Sequence, residues 1–157
     1  MQIRLIAIGK TDNPSIQILT EEYILRLGHY IRFELEIIPD LKNTKSISIS
    51  AQKEKEGELI LKKIQPSDDL ILLDERGKVF SSLEFSDFLQ KKMNSGLKQL
   101  IFVIGGPYGF SDAVYERANG KISLSKMTFS HQMIRPFFTE QLYRAYTILS
   151  HEPYHHE

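Results

Sequence analysis

Short apolar runs along the chain alternate with longer stretches whose apolar positions recur every three or four residues. Ile3–Ile8 is apolar, β-branched and ends at Gly9, so it predicts a first strand. From Pro14 to Gly28, Ile16, Ile18, Leu19, Tyr23, Ile24 and Leu27 fall at helical spacing, with Gly28 as a stop. Phe33–Ile38 sets Phe33, Leu35 and Ile37 against Glu34 and Glu36, the pattern of a half-buried strand. A polar loop at Asp40–Ser46 leads into a charge-rich helix over Ala51–Ile64.

The second half repeats the alternation with more apolar strands. Leu70–Leu73, after Asp69, and Leu100–Ile104, after Gln99, are uninterrupted apolar runs, as strands buried on both faces require. Asp74-Glu-Arg-Gly77 reads as a turn closing the first of these. Ser82–Met93 predicts a serine-capped helix with Leu83, Phe85, Phe88 and Leu89 inward. Ser111 and Asp112 cap a short helix to about Ala118, Lys121–Leu124 is a brief strand, and a last helix runs from near Gln132 to Ser150. Pro136 lacks an N–H, so that helix starts just before it or kinks there. Five strands alternating with five helices predict an α/β fold, a mostly parallel sheet flanked by helices. In such folds ligands bind outside the carboxyl ends of the strands. That singles out the loops after Leu73, Ile104 and Leu124.

Composition narrows the class. The 157 residues fit one domain, 1–157, at ~100–200 residues per domain. With 41% hydrophobic and 25% charged residues the chain is ordinary globular protein, which excludes disorder and fibrous repeats. The absence of Cys excludes disulfides and Cys-based zinc sites. No apolar run approaches the ~18 residues of a membrane helix, and the N-terminal run is too short for a signal peptide, so the expectation is a cytoplasmic protein with no membrane partner. Twenty basic residues balance twenty acidic ones, so contact with a nucleic acid needs a local basic patch or a partner.

Four stretches could carry chemistry. Gly105-Gly-Pro-Tyr-Gly109 lies between a buried strand and a capped helix, where missing Cβ atoms let backbone N–H groups approach a ligand. It matches neither the dinucleotide fingerprint nor the P-loop, and on spacing alone it is equally well a tight βα turn. Leu124-Ser-Lys-Met-Thr-Phe129, followed by Ser130-His131-Gln132, could form an apolar slot for a flat heterocycle, or simply a loop packed on the core. Glu140 and Arg144 stand at i, i+4 on the last helix. They form a surface ion pair, or Arg144 meets a phosphate or base. The broad apolar face of that helix exceeds what one small core needs, which points to a subunit interface. The tail carries Tyr154, His155 and His156, a proton-carrying group or a frayed end. Metal-ligand spacing, Gly-x-Ser-x-Gly and a Cys nucleophile are all missing, and His29 reads as structural.

Taken together, Leu73-Asp74, Gly105-Gly-Pro-Tyr-Gly109, Leu124-Ser-Lys-Met-Thr-Phe129, His131-Gln132, Glu140-Gln-Leu-Tyr-Arg-Ala145 and Pro153-Tyr-His155 carry a specific likeness. Over its whole length the chain resembles the bacterial 23S rRNA pseudouridine N3-methyltransferases of the SPOUT superfamily. The resemblance implies a C-terminal trefoil knot and a homodimer. It implies S-adenosylmethionine held by Leu73, Gly105, Leu124, Ser125, Lys126, Met127, Thr128 and Phe129, with no metal. The substrate would be a pseudouridine in a stem-loop of large-subunit rRNA, modified in the assembled ribosome. Arg144, Tyr154 and His155 would be the catalytic positions, with the tail reaching the partner subunit's site. His156 stands where the family commonly has Lys or Arg, and Ser130 where many members have Pro. Competing expectations are a SPOUT methyltransferase acting on tRNA, a non-catalytic ribosome-binding or assembly factor, and a generic nucleotide-binding module that prefers ATP or a flavin.

Overall fold

The structure, a computed structural model, describes residues 1–156. In chain order the elements are β1 (Gln2–Ile8), α1 (Pro14–Leu27), β2 (Phe33–Ile38), α2 (Ile49–Leu61), β3 (Asp69–Val79), α3 (Ser82–Asn94), β4 (Gln99–Ile104), α4 (Asp112–Arg117), β5 (Gly120–Ser123) and α5 (Ile134–Leu149). One short 3-10 turn, Thr44–Ser46, precedes α2. The strands form a single sheet in the order β2-β1-β4-β3-β5. Every pairing is parallel, as the helix-bearing connections demand.

Local signals set most helix ends. The Asn13 side chain accepts from the N–H groups of Ser15 (2.9 Å) and Ile16 (3.4 Å), and Pro14 opens α1 where its missing N–H costs nothing. Ser48 caps α2 through the Ala51 N–H at 3.1 Å. Ser81 and Glu84 form a reciprocal capping box at the start of α3. Pro136 falls in the first turn of α5, where an N–H would be unpaired anyway, and the helix needs no kink.

The sheet is covered on both faces. Leu5, Phe102 and Ile104 point to one face, where α1, α3 and α5 supply Leu27, Phe85, Leu89, Phe138 and Leu142. Ile6, Leu72, Ile101 and Val103 point to the other, covered by Ile60 of α2 and Val114 of α4. Each fully buried side chain of this size contributes about 1.5–3 kcal/mol. The two-sided burial explains why β1, β3 and β4 carry continuous apolar runs.

Three expectations need correction. The chain does not leave the sheet at Leu73: β3 runs on to Val79. The register breaks over Asp74–Gly77, so that Leu73 and Lys78 both stand opposite Ile122. The strand resumes because residue 77 lies against the backbone of β5. A Cβ there would sit 2.5 Å from the Ile122 carbonyl carbon and 2.6 Å from its nitrogen, so only glycine fits. Leu83, expected inward, is 42% exposed, because α3 packs through Phe85 and Leu89, which share a face at i, i+4, and Leu83 two residues before Phe85 points to the opposite side. Ser111 occupies the N-cap position of α4 without making a cap bond, and its hydroxyl is buried with no partner.

Candidate functional site

The carboxyl ends of β3, β4 and β5 open into one cavity of about 490 Å³. Its walls are 73–76 at the register break within β3, 104–110 at and after the end of β4, and 122–125 with 127–131 around and after β5, closed by Lys53 of α2, Tyr115 of α4 and Ile134 of α5. Its volume lies within the range of small-molecule sites, about 300–1,000 Å³. The three places singled out from fold class meet here, the first as a break within β3 and the other two as loops, and Leu73, Gly105, Leu124, Ser125, Met127, Thr128 and Phe129 all line it. Lys126 is exposed and outside the wall.

Each loop is held by contacts that the local sequence accounts for. A Cβ on Gly105 would press on the Phe110 ring at 3.1 Å and on the Gly109 carbonyl at 3.3 Å, so a side chain at this point of the cavity wall requires its neighbours to give by a few tenths of an ångström. Met127 N–H donates to the Ser125 hydroxyl (2.9 Å), and the Ser123 hydroxyl donates to the Ser125 carbonyl (2.7 Å), which fixes the turn after β5. The Phe129 ring packs on Phe137 of α5 with centroids 5.1 Å apart. Leu73, Ile104, Ile122, Leu124, Met127 and Phe129 therefore present an apolar slot, and Asp74 and Glu75 stand on its rim. The Tyr115 hydroxyl donates to Asp74, and burial together with that carboxylate pushes the phenol up to about 12. Thr128 donates to Glu75 at 3.4 Å.

Arg135 is a positioning residue behind the cavity that the sequence reading missed. It is fully buried at the start of α5. Its guanidinium donates to the carbonyls of Ile8 (2.9 Å), Gly9 (2.8 Å) and His131 (3.1 Å) and to the Thr11 hydroxyl (2.7 Å). Gln132 adds a reciprocal pair with Asp12, both bonds 3.0 Å. The end of β1 is thereby tied to the loop that closes the cavity. The signal was present in outline: 135, 138 and 142 share one face of α5, so a cation falls on its buried stripe. Replacing Arg135 with methionine leaves those carbonyls unpaired at about 1–3 kcal/mol each before relaxation. The expected net loss is about 2 kcal/mol, read as a lower urea midpoint at unchanged m-value.

Glu56 also went unnoticed. It is buried behind the Gly105–Gly109 loop, with one carboxylate oxygen accepting from Gln52 at 2.9 Å and the other unpartnered. Burial raises its pKa, and nearby Asp40 adds to the effect against Gln52.

A second cluster forms at the far end of α5. Glu140 is its hub: one carboxylate oxygen accepts from Arg144 Nε (3.0 Å) and from the Tyr154 hydroxyl (3.1 Å). The Arg144 guanidinium lies 4.7 Å over the Tyr154 ring, and its Nη1 is 3.5 Å from His155 Nδ1. Tyr154 also meets the Tyr23 hydroxyl at 3.3 Å and packs edge-on against Tyr143 at 4.7 Å. Burial and these partners hold its phenol above the ordinary range. Tyr30 donates to Glu152 at 2.5 Å, which pushes the Tyr30 phenol up to about 12. The tail is therefore packed down rather than frayed, and the Glu140–Arg144 ion pair expected from spacing is present.

The structure thus gathers Arg144, Tyr154 and His155 into one group and the loop residues into another, and it does not join the two. Ile134 lines the cavity and Arg144 lies ten residues further along the same helix. At 1.5 Å rise per residue that is about 15 Å. Among the described residues no group of three or more His, Asp or Glu side chains is placed to hold a metal ion, and no helix is long and apolar enough to cross a membrane.

Comparison with known proteins places this architecture. A protein from Flavobacterium psychrophilum named ribosomal RNA large subunit methyltransferase H is 69% identical over the full length of both chains. Its namesakes from Parabacteroides distasonis and Phocaeicola vulgatus are 64% and 54% identical, again over the whole of both chains. The solved structure of a probable methylase family protein from Haemophilus influenzae superposes with a TM-score of 0.56. It covers 99% of this chain and 70% of that one at 13% identity, a likeness of fold. A family described as "Predicted SPOUT methyltransferase" matches residues 1–155, and with that span and these full-length relatives the chain belongs to the SPOUT methyltransferases.

Proposed function

We propose that this chain is an S-adenosylmethionine-dependent methyltransferase that methylates N3 of a pseudouridine in a 23S rRNA stem-loop. It acts in the cytoplasm on assembled ribosomes, as a homodimer whose C-terminal part forms a trefoil knot. The observation that carries the reading is the cavity at the ends of β3, β4 and β5, an apolar slot floored by Gly105 and rimmed by carboxylates. S-Adenosylmethionine fits such a donor set. Its adenine suits the slot between Leu73, Leu124, Met127 and Phe129, and its sulfonium suits the acidic rim of Asp74 and Glu75.

When bound, the sulfonium supplies both the methyl group and its own leaving group, so the chemistry needs no metal. The protein's own part is positioning and electrostatics. Gly105 lets the loop backbone approach the ligand, while Ser125 and Thr128 offer short polar contacts along the wall. Lys126, exposed beside the mouth, is suited to meet ligand or RNA from outside. As the N3–methyl bond forms and the methyl–sulfur bond breaks, the proton on N3 must leave. Tyr154, with its phenol held neutral, serves as a hydrogen-bonding group and not as a base. Arg144, oriented by Glu140, supplies positive charge to a deprotonated pyrimidine edge, and His155, whose Nδ1 lies 3.5 Å from Arg144 Nη1, offers a ring nitrogen that can accept a proton.

The tail cluster stands about 15 Å along α5 from the cavity, whereas reacting groups must come within ~3–3.5 Å. A second copy of the chain that lays its tail over this cavity would close the gap. Phe137 is exposed on α5 and Met133 is exposed at its N-cap, on the helix whose outer face would meet the partner.

Calorimetric titration tests the reading, with S-adenosylmethionine as ligand and ATP as control. Binding of the first alone is expected, with a dissociation constant on the order of micromolar, about 8 kcal/mol of affinity. Methyl transfer is then read by mass spectrometry of rRNA from ribosomal subunits lacking the modification. Absence of binding in a folded dimer would instead leave a scaffold or assembly role.

A further inference from the structure

A second concavity, also about 490 Å³, adjoins the cofactor cavity and shares Lys53, Arg76 and Tyr115 with it. Lys121 and Asn119 line its outer side, and Asp112 is the single carboxylate in its wall. Among the described residues none of Lys53, Arg76 and Lys121 forms an ion pair. The Lys121 ammonium lies 5.4 Å over the Tyr115 ring, which holds it at the cleft without neutralising it. Tyr115 is itself anchored by its bond to Asp74. Three cations against one carboxylate line the cleft itself, and Asp74 and Glu75 stand on the wall of the adjoining cavity, so positive charge is concentrated on the cleft side of a chain whose net charge is zero.

We propose that this cleft binds backbone phosphates of the RNA substrate, with Lys53, Arg76 and Lys121 as the contacts that lead the strand to the mouth of the cofactor cavity. The inference rests on the methyltransferase reading above. RNA recognition needs cations at the phosphates, since phosphate contacts fix register and orientation. A neutral protein must concentrate those cations locally, and this cleft does so beside the cavity where the methyl group would be delivered. Arg76 and Lys53 stand on the shared wall, so a strand seated on Lys121 passes directly to the cavity.

Lys121 is the residue to test, because it is exposed and lines only the outer cleft. The assay uses the full-length protein and large ribosomal subunits lacking the modification. Lys121→Glu is expected to raise KM for the subunits about tenfold and to lower the salt dependence of that KM by about one in log–log slope. Affinity for S-adenosylmethionine and kcat at saturating subunits should be unchanged, and Lys121→Arg should behave as wild type. An unchanged KM and salt slope in Lys121→Glu overturns the proposal. Should the Glu variant bind S-adenosylmethionine poorly, Lys121→Gln decides, with a raised KM supporting the site and an unchanged one rejecting it. Wild-type protein that methylates no subunit overturns the underlying function, and that control precedes every variant.

Discussion

Replacing Gly77 with alanine should cost the protein about 3 kcal/mol, the upper end for forcing atoms into a packed interior. For a chain of this length that lowers Tm by about 6–12 °C. The reason is what the new methyl group would meet. Its nearest neighbours are the Ile122 carbonyl carbon at 2.5 Å, the Ile122 nitrogen at 2.6 Å and the Lys121 carbonyl carbon at 2.7 Å. All three are backbone atoms in an edge strand only four residues long, so no side chain can rotate away. β5 and the resumed part of β3 must separate instead. Because residues 73–76 and 122–125 line the cavity, the same substitution should weaken S-adenosylmethionine binding along with stability. Gly96 offers the contrast. It has open space around its Cβ position but a φ of +75°, so alanine there meets only backbone strain of about 1 kcal/mol. Thermal melts of the two variants, with and without ligand, separate these effects. A Gly77→Ala protein that melts like wild type would mean that β3 does not run against β5 as described.

Gly77 also marks where the sequence stops being legible. Strands that cross the middle of the sheet announce themselves, since burial on both faces forces the unbroken runs at Leu70–Leu73 and Leu100–Ile104. Fold class follows from those runs, and with it the strand ends that meet at the cavity, two of them as loops. Asp74-Glu-Arg-Gly77 has the composition of a turn, and only pairing with Ile122 and Ser123, more than forty residues later, keeps it in the sheet. Leu83 illustrates a related limit. Apolar residues on a helix can fall on more than one face, and here the buried face is that of Phe85 and Leu89, with Leu83 on the side away from it. The tail is set by equally distant contacts, since Tyr154 rests on Tyr23, Tyr143 and Glu140. Local composition says only that such a terminus is short and polar. Arg135 was half legible: its place on the buried stripe is a matter of spacing, but its partners at Ile8, Gly9 and Thr11 come from the other end of the chain.

Two variants that are each inactive should restore activity when paired in one dimer. Gly105→Val fills the cavity floor. Its side chain meets the Phe110 ring and the Gly109 carbonyl, within a loop that lines the site, so cofactor binding should be abolished while the sheet is left in place. Arg144→Ala leaves the cavity untouched and removes the cation that Glu140 holds over the Tyr154 ring, so cofactor binding should persist while methyl transfer is lost. If the active site combines the cavity of one protomer with the tail of the other, a mixed dimer contains one complete site and one doubly damaged site. Co-expression with two affinity tags and purification on both should then give about half the wild-type rate per dimer. If instead the tail served its own protomer's cavity, every site in the mixed dimer would carry one lesion and the rate would stay at background. The 15 Å between Ile134 and Arg144 along α5 favours the first outcome, because a helix of sixteen residues cannot fold back on itself to bring its two ends together. Failure to recover any doubly tagged species would remove the dimer itself, and with it this assignment of Arg144, Tyr154 and His155.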